Sequence, residues 1–393
     1  MKEKRNILIL FFLLVLAASL RIYHLGHASL WLDELATVYG LDAGNPPAYI
    51  YLLQGWIKIV GNGEAMVRLP SVILSLLMIP LLYLFGKKLF SAEAGLIAAV
   101  LLTISPYNIN YAQEVRMYSL VWLLGLISFY FFHQFLKKRS NLPLIICLIA
   151  NILSIYISYS GFFFIISENI IFLIFYNRSR LKSWISAQLL SIVLLIPLFP
   201  LFIEKASHRG GVDWIYLSTK YRDLFRGILC YLGGDLSGVG SPLVYIPFLL
   251  LIGIGYFTFQ RRSLRLSISP EDIYLWSWFF LPILLGLTIS LFFFPFLTPL
   301  TIRYIGFVQF PFFLAAGYGI SRIRPVQATI ILLLLIGLTT FNYLIPYYRD
   351  DIRIGREDWR GLIAHLEETV NHDSPVWMMP GTLLPYRYYG TGM

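Results

Sequence analysis

The stretch RLPSVILSLLMIPLLYLFGKKLF, residues 68–90, decides the class of this protein. Its apolar run is long enough to cross the ~30 Å hydrocarbon core of a bilayer as one helix of about 20 residues. Lys87 and Lys88 follow at once, as cations do where a span ends in a cytoplasmic loop. A spanning strand would alternate with a period of two, and this run does not. The stretch therefore predicts a transmembrane helix over residues 67–86.

The same pattern recurs along the 393-residue chain, of which 58% is hydrophobic and only 13% charged. That composition excludes a soluble globular domain, which needs more polar residues at its surface. We predict an all-α polytopic membrane protein with about 11 transmembrane helices. The predicted spans lie near residues 6–25, 67–86, 92–106, 117–136, 141–158, 160–176, 184–203, 242–259, 273–294, 304–320 and 326–345.

Cations in alternate loops indicate the orientation, because cytoplasmic loops collect Lys and Arg. They are Lys2, Lys4, Arg5, Lys87, Lys88, Lys137, Lys138, Arg139, Arg178, Arg180, Lys182, Arg261, Arg262, Arg265, Arg322 and Arg324. The N-terminus is predicted to be cytoplasmic, and an odd number of spans puts the C-terminus outside, in what we expect is the plasma membrane. The net charge of +10 thus reflects topology, with no basic stripe that would indicate a nucleic-acid partner.

The outer side should hold the function, because its loops are long and carry most of the remaining acids. We divide the chain into a transmembrane domain, residues 1–345, and a short extracytoplasmic C-terminal segment, residues 346–393. Apolar residues at helical spacing predict a helix in REDWRGLIAHLEETV, and SPVWMM at 374–379 reads as a strand, giving an α/β cap. The first helix also has the basic start and small residues of a signal peptide, so cleavage is an alternative reading.

The first outer loop carries the acidic pair Asp33 and Glu34 within SLWLDELATVYG, residues 29–40. The simplest interpretation is a pair of solvated loop charges. The neighbouring Trp31 and the segment NPPAYIYLLQGWI, residues 45–57, favour a second one, since their aromatic residues suit an interfacial helix in the headgroup layer. A carboxylate held there meets both lipid headgroups and water-borne acceptors.

The second outer loop, SPYNINYAQEVRMYSL at residues 105–120, places Glu114, Arg116 and Tyr118 close together in sequence. These residues form either a capped helix start with a snorkelling arginine, or a site for a phosphate headgroup. The second alternative rests on the bidentate pairing of arginine with phosphate oxygens. Loop residues alone leave the two interpretations even.

A third outer site, Arg303 and Tyr304, stands at the mouth of a late span. It is either an interface anchor or part of the same site. Within the apolar segments, Glu168 is the clear intramembrane acid, which is a functional candidate by default unless Ser167, Asn169 or a neighbouring helix satisfies it.

Several of these segments together resemble the dolichyl-phosphate-mannose-protein mannosyltransferase-like branch of the glycosyltransferase-C superfamily, which also includes lipid A aminoarabinose transferases. The segments are LWLDE, NPPAYIYLLQGW, RLPSVILSLLMIPLLYLFGKKLF, ISPYNINYAQEVRMYSL and IRYIGFVQFP, and they cover roughly residues 20–135 and 296–345. Relatives have a histidine in a Tyr-Thr-His-Tyr-like segment where this chain has Ser158, so we assign that segment no role.

The resemblance implies a transferase that takes a sugar from a polyprenyl-phosphate donor on the outer face. It implies Asp33 as catalytic base with Glu34 in support. By the same resemblance Glu114 and Arg116 belong to the substrate site and Arg303 to the donor phosphate, and we add the adjacent Tyr118 and Tyr304.

The residues themselves suit this chemistry. A polyprenyl phosphate leaves without a general acid but needs its charge stabilised, whereas the acceptor hydroxyl needs a base. Direct displacement would invert the anomeric carbon. The partners expected are the lipid-linked donor, a lipid, glycan or protein acceptor, and membrane lipids. No cofactor is required, and oxygen ligands leave a divalent cation, Mg²⁺ or Mn²⁺, as an alternative. The rival functions are a transporter or flippase of lipid-linked sugars and a non-catalytic lipid-binding subunit.

Overall fold

The computed structural model describes residues 2–41, 45–207, 268–289, 302–349, 357–370 and 380–390, together with a few positions between 228 and 253. These residues are mostly helical, and no strand occurs among them. The helices are α1 (Lys2–Ile22), α2 (Leu32–Val38), α3 (Ala48–Val60), α4 (Glu64–Leu89), α5 (Ala92–Ile104), α6 (Pro106–Ala112), α7 (Tyr118–Lys137), α8 (Leu142–Ile157), α9 (Phe162–Ile174), α10 (Arg178–Leu195), α11 (Phe199–Ser207), α12 (Pro270–Thr288), α13 (Ile302–Ile305), α14 (Gln309–Ser321), α15 (Val326–Tyr348), α16 (Trp359–Thr369) and α17 (Leu383–Tyr389).

The helices agree with the predicted spans wherever the two can be compared. Ten of the eleven predicted segments coincide with described helices, and the span at 242–259 lies outside the described residues apart from isolated positions. Within the described residues, six helices are long and apolar enough to cross a membrane, or up to seven if the bent pair α5 and α6 is one span. The chain is thus a multi-pass membrane protein, while the count of eleven and the orientation stay predictions.

The core of the bundle is formed by α4, α5, α7 and α14, with α8 packed against α7. Helices pack closely in a membrane when small residues let their backbones approach. Gly95 of α5 is such a residue, because a Cβ built on Gly86 of α4 would lie 2.6 Å from the Gly95 Cα. Close backbone contact there fixes α4 against α5, the two helices that lead into the outer loops.

Exposed ion pairs join helix ends at the end of the bundle where the predicted cytoplasmic loops lie. They are Lys87 with Glu3 (3.2 Å), Lys137 with Glu271 (2.8 Å) and Arg324 with Glu93 (3.4 Å). Exposed pairs of this kind stabilise little. Their value here is topological, since they join the cation-bearing segments around Lys87, Lys137 and Arg324 to neighbouring helix ends.

The predicted outer loops contain short helices. The second outer loop, for which a capped helix start was one of the two interpretations, begins with α6, which bends 59° from α5. Pro106 starts α6, and the Ser105 hydroxyl caps it by accepting a hydrogen bond from the Asn108 amide at 3.3 Å. The first outer loop contains α2 and α3, and the α3 range confirms the helix predicted over 45–57.

The C-terminal segment contains the predicted helix as α16, followed by α17. The strand expected at 374–379, and with it the α/β character of the cap, lies outside the described residues. Helix α17 packs against α2, so this segment lies over the first outer loop.

Candidate functional site

Asp33 and Glu34 occupy the first turn of α2 and face different surroundings. Successive helical residues point roughly 100° apart, so two adjacent acids cannot share one environment. The Glu34 side chain is fully buried, whereas the Asp33 side chain is 38% exposed. Only Asp33 is therefore accessible to a substrate from solvent or from the headgroup layer.

Glu34 forms a buried ion pair with Arg68 of α4. The Glu34 carboxylate accepts hydrogen bonds from Arg68 Nε at 3.0 Å and Nη2 at 2.7 Å, and both side chains are completely buried. It also accepts the backbone amides of Val115 at 2.9 Å and Trp31 at 3.3 Å. Since Val115 belongs to the second outer loop, Glu34 links that loop to α2 and α4.

Asp33 faces two guanidinium groups from two other parts of the chain. Its Oδ2 lies 3.5 Å from Arg303 Nη1 and 3.9 Å from Arg116 Nη2. Arg116 is held in place by two further bonds from its Nη1, to the Thr37 hydroxyl at 2.7 Å and the Asp33 carbonyl at 3.2 Å. The structure thus brings three predicted site residues together, although 270 positions separate the first from the last.

Buried polar residues position the second outer loop. Arg21 of α1 is fully buried and donates to the carbonyls of Leu102 at 3.2 Å and Thr103 at 3.1 Å, where α5 ends, and to Asn108 Oδ1 at 2.8 Å in α6. It therefore satisfies the carbonyls that the bend between the two helices leaves without intrahelical partners. Gln113 continues the anchoring by donating to the Arg21 carbonyl at 2.9 Å.

The rings of Tyr118 and Tyr304, which we call the aromatic floor, pack against the guanidinium groups of the two arginines. The Arg116 guanidinium lies 5.9 Å from the Tyr118 ring centre, and the Arg303 guanidinium 5.7 Å from that of Tyr304. The two tyrosine rings meet edge to face at 6.0 Å. Cations over aromatic faces are held by the ring quadrupole, so the floor orients both guanidinium groups.

A glycine allows the segment that carries Arg303 to pack closely beside the aromatic floor. The indole of Trp122 donates to the Arg303 carbonyl at 3.3 Å and lies against Gly306. A Cβ at position 306 would clash with the Trp122 ring and lie 2.5 Å from the Tyr107 hydroxyl oxygen. Gly306 is thus needed for the approach of the segment that carries Arg303.

Glu114, the remaining predicted site residue, is buried beside the same cluster. Its charge and those of both arginines act on the Tyr118 hydroxyl, as does Tyr304. All seven predicted site residues consequently lie in one neighbourhood. Within it Asp33, Arg116 and Arg303 are in direct ionic contact, and Glu34 lies behind them.

Sequence reasoning assigned no role to Arg68, Arg21 or Thr37. The two arginines have a sequence signal, since each is a charge near the outer end of an apolar helix, where a buried partner is expected. Thr37 has none, because a threonine four residues after an acid is common on any helix.

Glu168 of α9 is satisfied by neighbouring helices. Its carboxyl oxygens accept from the Ser128 hydroxyl and Asn151 Nδ2, each at 2.6 Å, and Cys147 Sγ lies 3.4 Å away. These partners belong to α7 and α8. Of the alternatives to a functional role, the structure therefore supports the one in which neighbouring helices satisfy this acid.

Among the residues that the structure describes, no three His, Cys, Asp or Glu side chains converge as a metal site. Asp33 is instead neighboured by cations. A Mg²⁺ or Mn²⁺ ion at Asp33 would meet two guanidinium groups at 3.5 Å and 3.9 Å from that carboxylate, surroundings that do not favour a divalent cation.

Comparison with known proteins gives one family match, over residues 44–203, to the model described as dolichyl-phosphate-mannose-protein mannosyltransferase. A search of curated proteins finds no match. The matched range covers α3 to α10 and the start of α11, including the second outer loop, and it leaves out Asp33, Glu34 and Arg303.

Solved structures match over nearly the whole chain. ArnT from Cupriavidus metallidurans bound to undecaprenyl phosphate has a TM-score of 0.59 at 13% identity, covering 98% of this chain and 84% of ArnT. The apo ArnT structure has a TM-score of 0.56 at 15% identity, covering 84% of this chain and 62% of that one. The chain thus spans less than two thirds of the apo ArnT chain.

The oligosaccharyltransferase from Archaeoglobus fulgidus is similar as well. Its apo crystal structure has a TM-score of 0.57 at 14% identity, covering 98% of this chain and 59% of that chain. At these identities the likeness concerns the fold. It confirms the resemblance drawn from the sequence motifs: this chain has the glycosyltransferase-C fold, and its residues 44–203 match the dolichyl-phosphate-mannose-protein mannosyltransferase family.

Proposed function

We propose that this protein is a membrane glycosyltransferase that moves a sugar from a polyprenyl-phosphate donor to an acceptor hydroxyl on the extracytoplasmic face. One observation carries the proposal. A partly exposed carboxylate, Asp33, lies 3.5 Å and 3.9 Å from two guanidinium groups on different segments, Arg303 and Arg116. The family match of residues 44–203 and the binding of undecaprenyl phosphate by ArnT support the donor class.

The roles follow from the charges. The donor phosphate enters beside Arg116 and Arg303, whose forks pair with its oxygens. As the anomeric C–O bond breaks, the phosphate keeps the electron pair, and the same cations stabilise the charge that develops on it.

Asp33 acts on the acceptor. Its carboxylate takes the proton of the acceptor hydroxyl as the hydroxyl oxygen attacks the anomeric carbon from the face opposite the phosphate. One displacement inverts the configuration at that carbon. Glu34 is the positioning residue for this base, because its buried pair with Arg68 holds the first turn of α2.

The decisive experiment uses the purified protein in detergent with a panel of polyprenyl-phosphate sugars and hydroxyl-bearing acceptors, and measures the polyprenyl phosphate that is released. We expect Asp33→Asn to lower turnover by about 10²–10⁴-fold, the usual contribution of a general base, with donor binding retained. Arg116→Ala and Arg303→Ala should each lower turnover by about 10²–10³-fold.

The opposite end of the bundle supplies matched controls. Glu93→Gln and Arg324→Ala remove a carboxylate and a guanidinium that pair with each other there, and both variants should turn over like the native protein. Full activity of Asp33→Asn would refute the base, and full activity of the Arg116/Arg303 double alanine variant would refute the phosphate clamp.

The same assay separates the rival functions. A flippase would move the lipid-linked sugar between leaflets of a vesicle without releasing polyprenyl phosphate. A lipid-binding subunit would bind the donor through the arginines and be indifferent to Asp33→Asn. The placement of Asp33 in contact with both arginines favours the transferase.

A further inference from the structure

In the loop that leads into α2, the backbone carbonyls accept hydrogen bonds from side chains of other segments. Between Leu25 and Trp31 the chain has no helix or strand, so its polar groups need side-chain partners. Arg68 supplies one group of them, donating to the carbonyls of Leu25 at 2.9 Å, Ala28 at 2.8 Å and Ser29 at 3.1 Å.

The C-terminal segment supplies the second group. Arg360 donates to the carbonyls of Gly26 and His27, each at 3.3 Å. The Tyr389 hydroxyl accepts the Leu30 amide at 2.6 Å. Together with Arg68, these side chains satisfy every carbonyl from residue 25 to residue 29.

Glu357 adds contacts at the start of α2. Its carbonyl accepts from the Ser29 hydroxyl at 2.8 Å, and its carboxylate lies 3.4 Å from the Leu32 amide. Leu32 is the first residue of α2 and immediately precedes Asp33. The C-terminal segment therefore contacts the backbone one residue before the proposed base.

Arg360 and Tyr389 both bind the same residue of the membrane domain. Glu64, in the first turn of α4, pairs with Arg360 through one carboxylate oxygen and accepts the Tyr389 hydroxyl with the other. One turn further along α4 lies Arg68. The loop is thus held between α4 on one side and the C-terminal segment on the other.

Tyr389 is suited to hold both partners at once. Burial, with the hydrogen bond to Glu64, raises the pKa of Tyr389, so its hydroxyl stays protonated at neutral pH. A protonated hydroxyl donates to Glu64 while it accepts from the Leu30 amide.

We propose that Arg360, Tyr389 and Glu357 form a C-terminal clamp that positions Asp33 against Arg116 and Arg303. The clamp fastens residues 25–32 to Glu64 and so sets where α2 begins. The inference rests on the proposed role of Asp33 as base. Arg303 is held independently of the clamp, through the contact of its carbonyl with Trp122, whereas Arg116 is bonded to Thr37 of α2 itself.

This arrangement predicts a specific kinetic effect. A displacement of about 1 Å at a reacting group can lower a rate about 10²-fold. Loosening the clamp should therefore lower kcat far more than it raises the KM for the donor, because Arg303 keeps its anchor outside the clamp.

The test compares Tyr389→Phe with Tyr386→Phe in the full-length protein. Tyr386 lies on the same helix, and its hydroxyl makes no hydrogen bond to any residue in the described part of the chain. We expect Tyr389→Phe to lower kcat about tenfold, roughly 1.4 kcal/mol of barrier, with the donor KM within twofold, and Tyr386→Phe to match the native enzyme. Arg360→Ala is a second variant, which removes the donors to the Gly26 and His27 carbonyls.

A readout without substrate accompanies the kinetics. Hydrogen exchange of peptides covering residues 25–32 should be faster in Tyr389→Phe and Arg360→Ala than in Tyr386→Phe, because the Leu30 amide and its neighbours lose partners. Native exchange in both clamp variants, or faster exchange with native kcat, would overturn the clamp. Asp33→Asn tests the base separately: an inactive Asp33→Asn beside fully active clamp variants refutes the clamp alone, and an active Asp33→Asn refutes the proposed function.

Discussion

Replacing Glu34 by Gln should separate stability from catalysis at two adjacent carboxylates. Glu34 accepts four hydrogen bonds, two from Arg68 and one each from the Val115 and Trp31 amides. Each carboxylate oxygen takes one bond from Arg68 and one from a backbone amide. In Glu34→Gln the NH2 group replaces one of these oxygens in either orientation of the amide. It would then face two N–H donors, one from Arg68 and one from a backbone amide.

The magnitude follows from the burial of the pair. Glu34→Gln leaves the Arg68 charge fully buried without its counter-ion, and removal of one partner from a buried ion pair costs about 3–5 kcal/mol. Asp33→Asn affects a side chain that is 38% exposed and paired at 3.5 Å or more, so its effect on stability should stay within about 1 kcal/mol.

The assay is chemical unfolding of both variants in detergent micelles, beside turnover of the polyprenyl-phosphate donor. We expect Glu34→Gln to lose stability, and Asp33→Asn to lose turnover at native stability. Equal unfolding midpoints for the native protein and Glu34→Gln would refute the reasoning, as would equal destabilisation of the two variants.

Arg68 provides an internal check. Replacing both Glu34 and Arg68 by apolar residues removes the unpaired charge, a change that is often neutral for a buried pair. Here it should remain costly, because the carbonyls of Leu25, Ala28 and Ser29 lose their donor, at about 1–3 kcal/mol for each buried unsatisfied group. A double variant as stable as the native protein would show that those three bonds contribute little.

Three further outcomes are expected. Gly306→Ala should destabilise by about 1–3 kcal/mol through its clash with Trp122, whereas Gly337→Ala, in open space on α15, should not destabilise in the same unfolding assay. Glu168→Leu should lower the free energy of unfolding by about 1–3 kcal/mol, because Asn151 Nδ2 loses its buried acceptor, yet leave turnover per folded molecule unchanged. Turnover should persist in excess chelator, since Asp33 already faces two guanidinium groups, and loss of activity restored by Mg²⁺ or Mn²⁺ would contradict this.

The transmembrane helices could be predicted from sequence because the constraint on them is local. A lipid-facing backbone must satisfy its own hydrogen bonds, so each span needs a continuous apolar run. The site could be predicted in part for a related reason. Polar residues such as Asp33, Arg116 and Arg303 stand out in a chain with few charges, and motif resemblance added their order.

The roles of neighbouring residues could not be predicted in the same way. Sequence alone did not distinguish the surroundings of Asp33 and Glu34, because both suit an interfacial loop. Arg68 reads as an ordinary charge at a helix end, and its partner lies 34 residues away. The tail reads as a small cap, with no local sign that Tyr389 reaches Leu30 across 359 residues.

The sequence by itself determined that this is a helical membrane protein, where its spans lie, and which of its few charged residues are candidates for chemistry. The tertiary structure decided which of two adjacent acids is exposed beside two arginines, which is buried, and what holds their loop in place. The physical reason is the range of the interactions. Hydrophobic length and charge distribution act within one segment, whereas the pairing of Glu34 with Arg68 and of Asp33 with Arg303 exists only after helices far apart in the chain have packed.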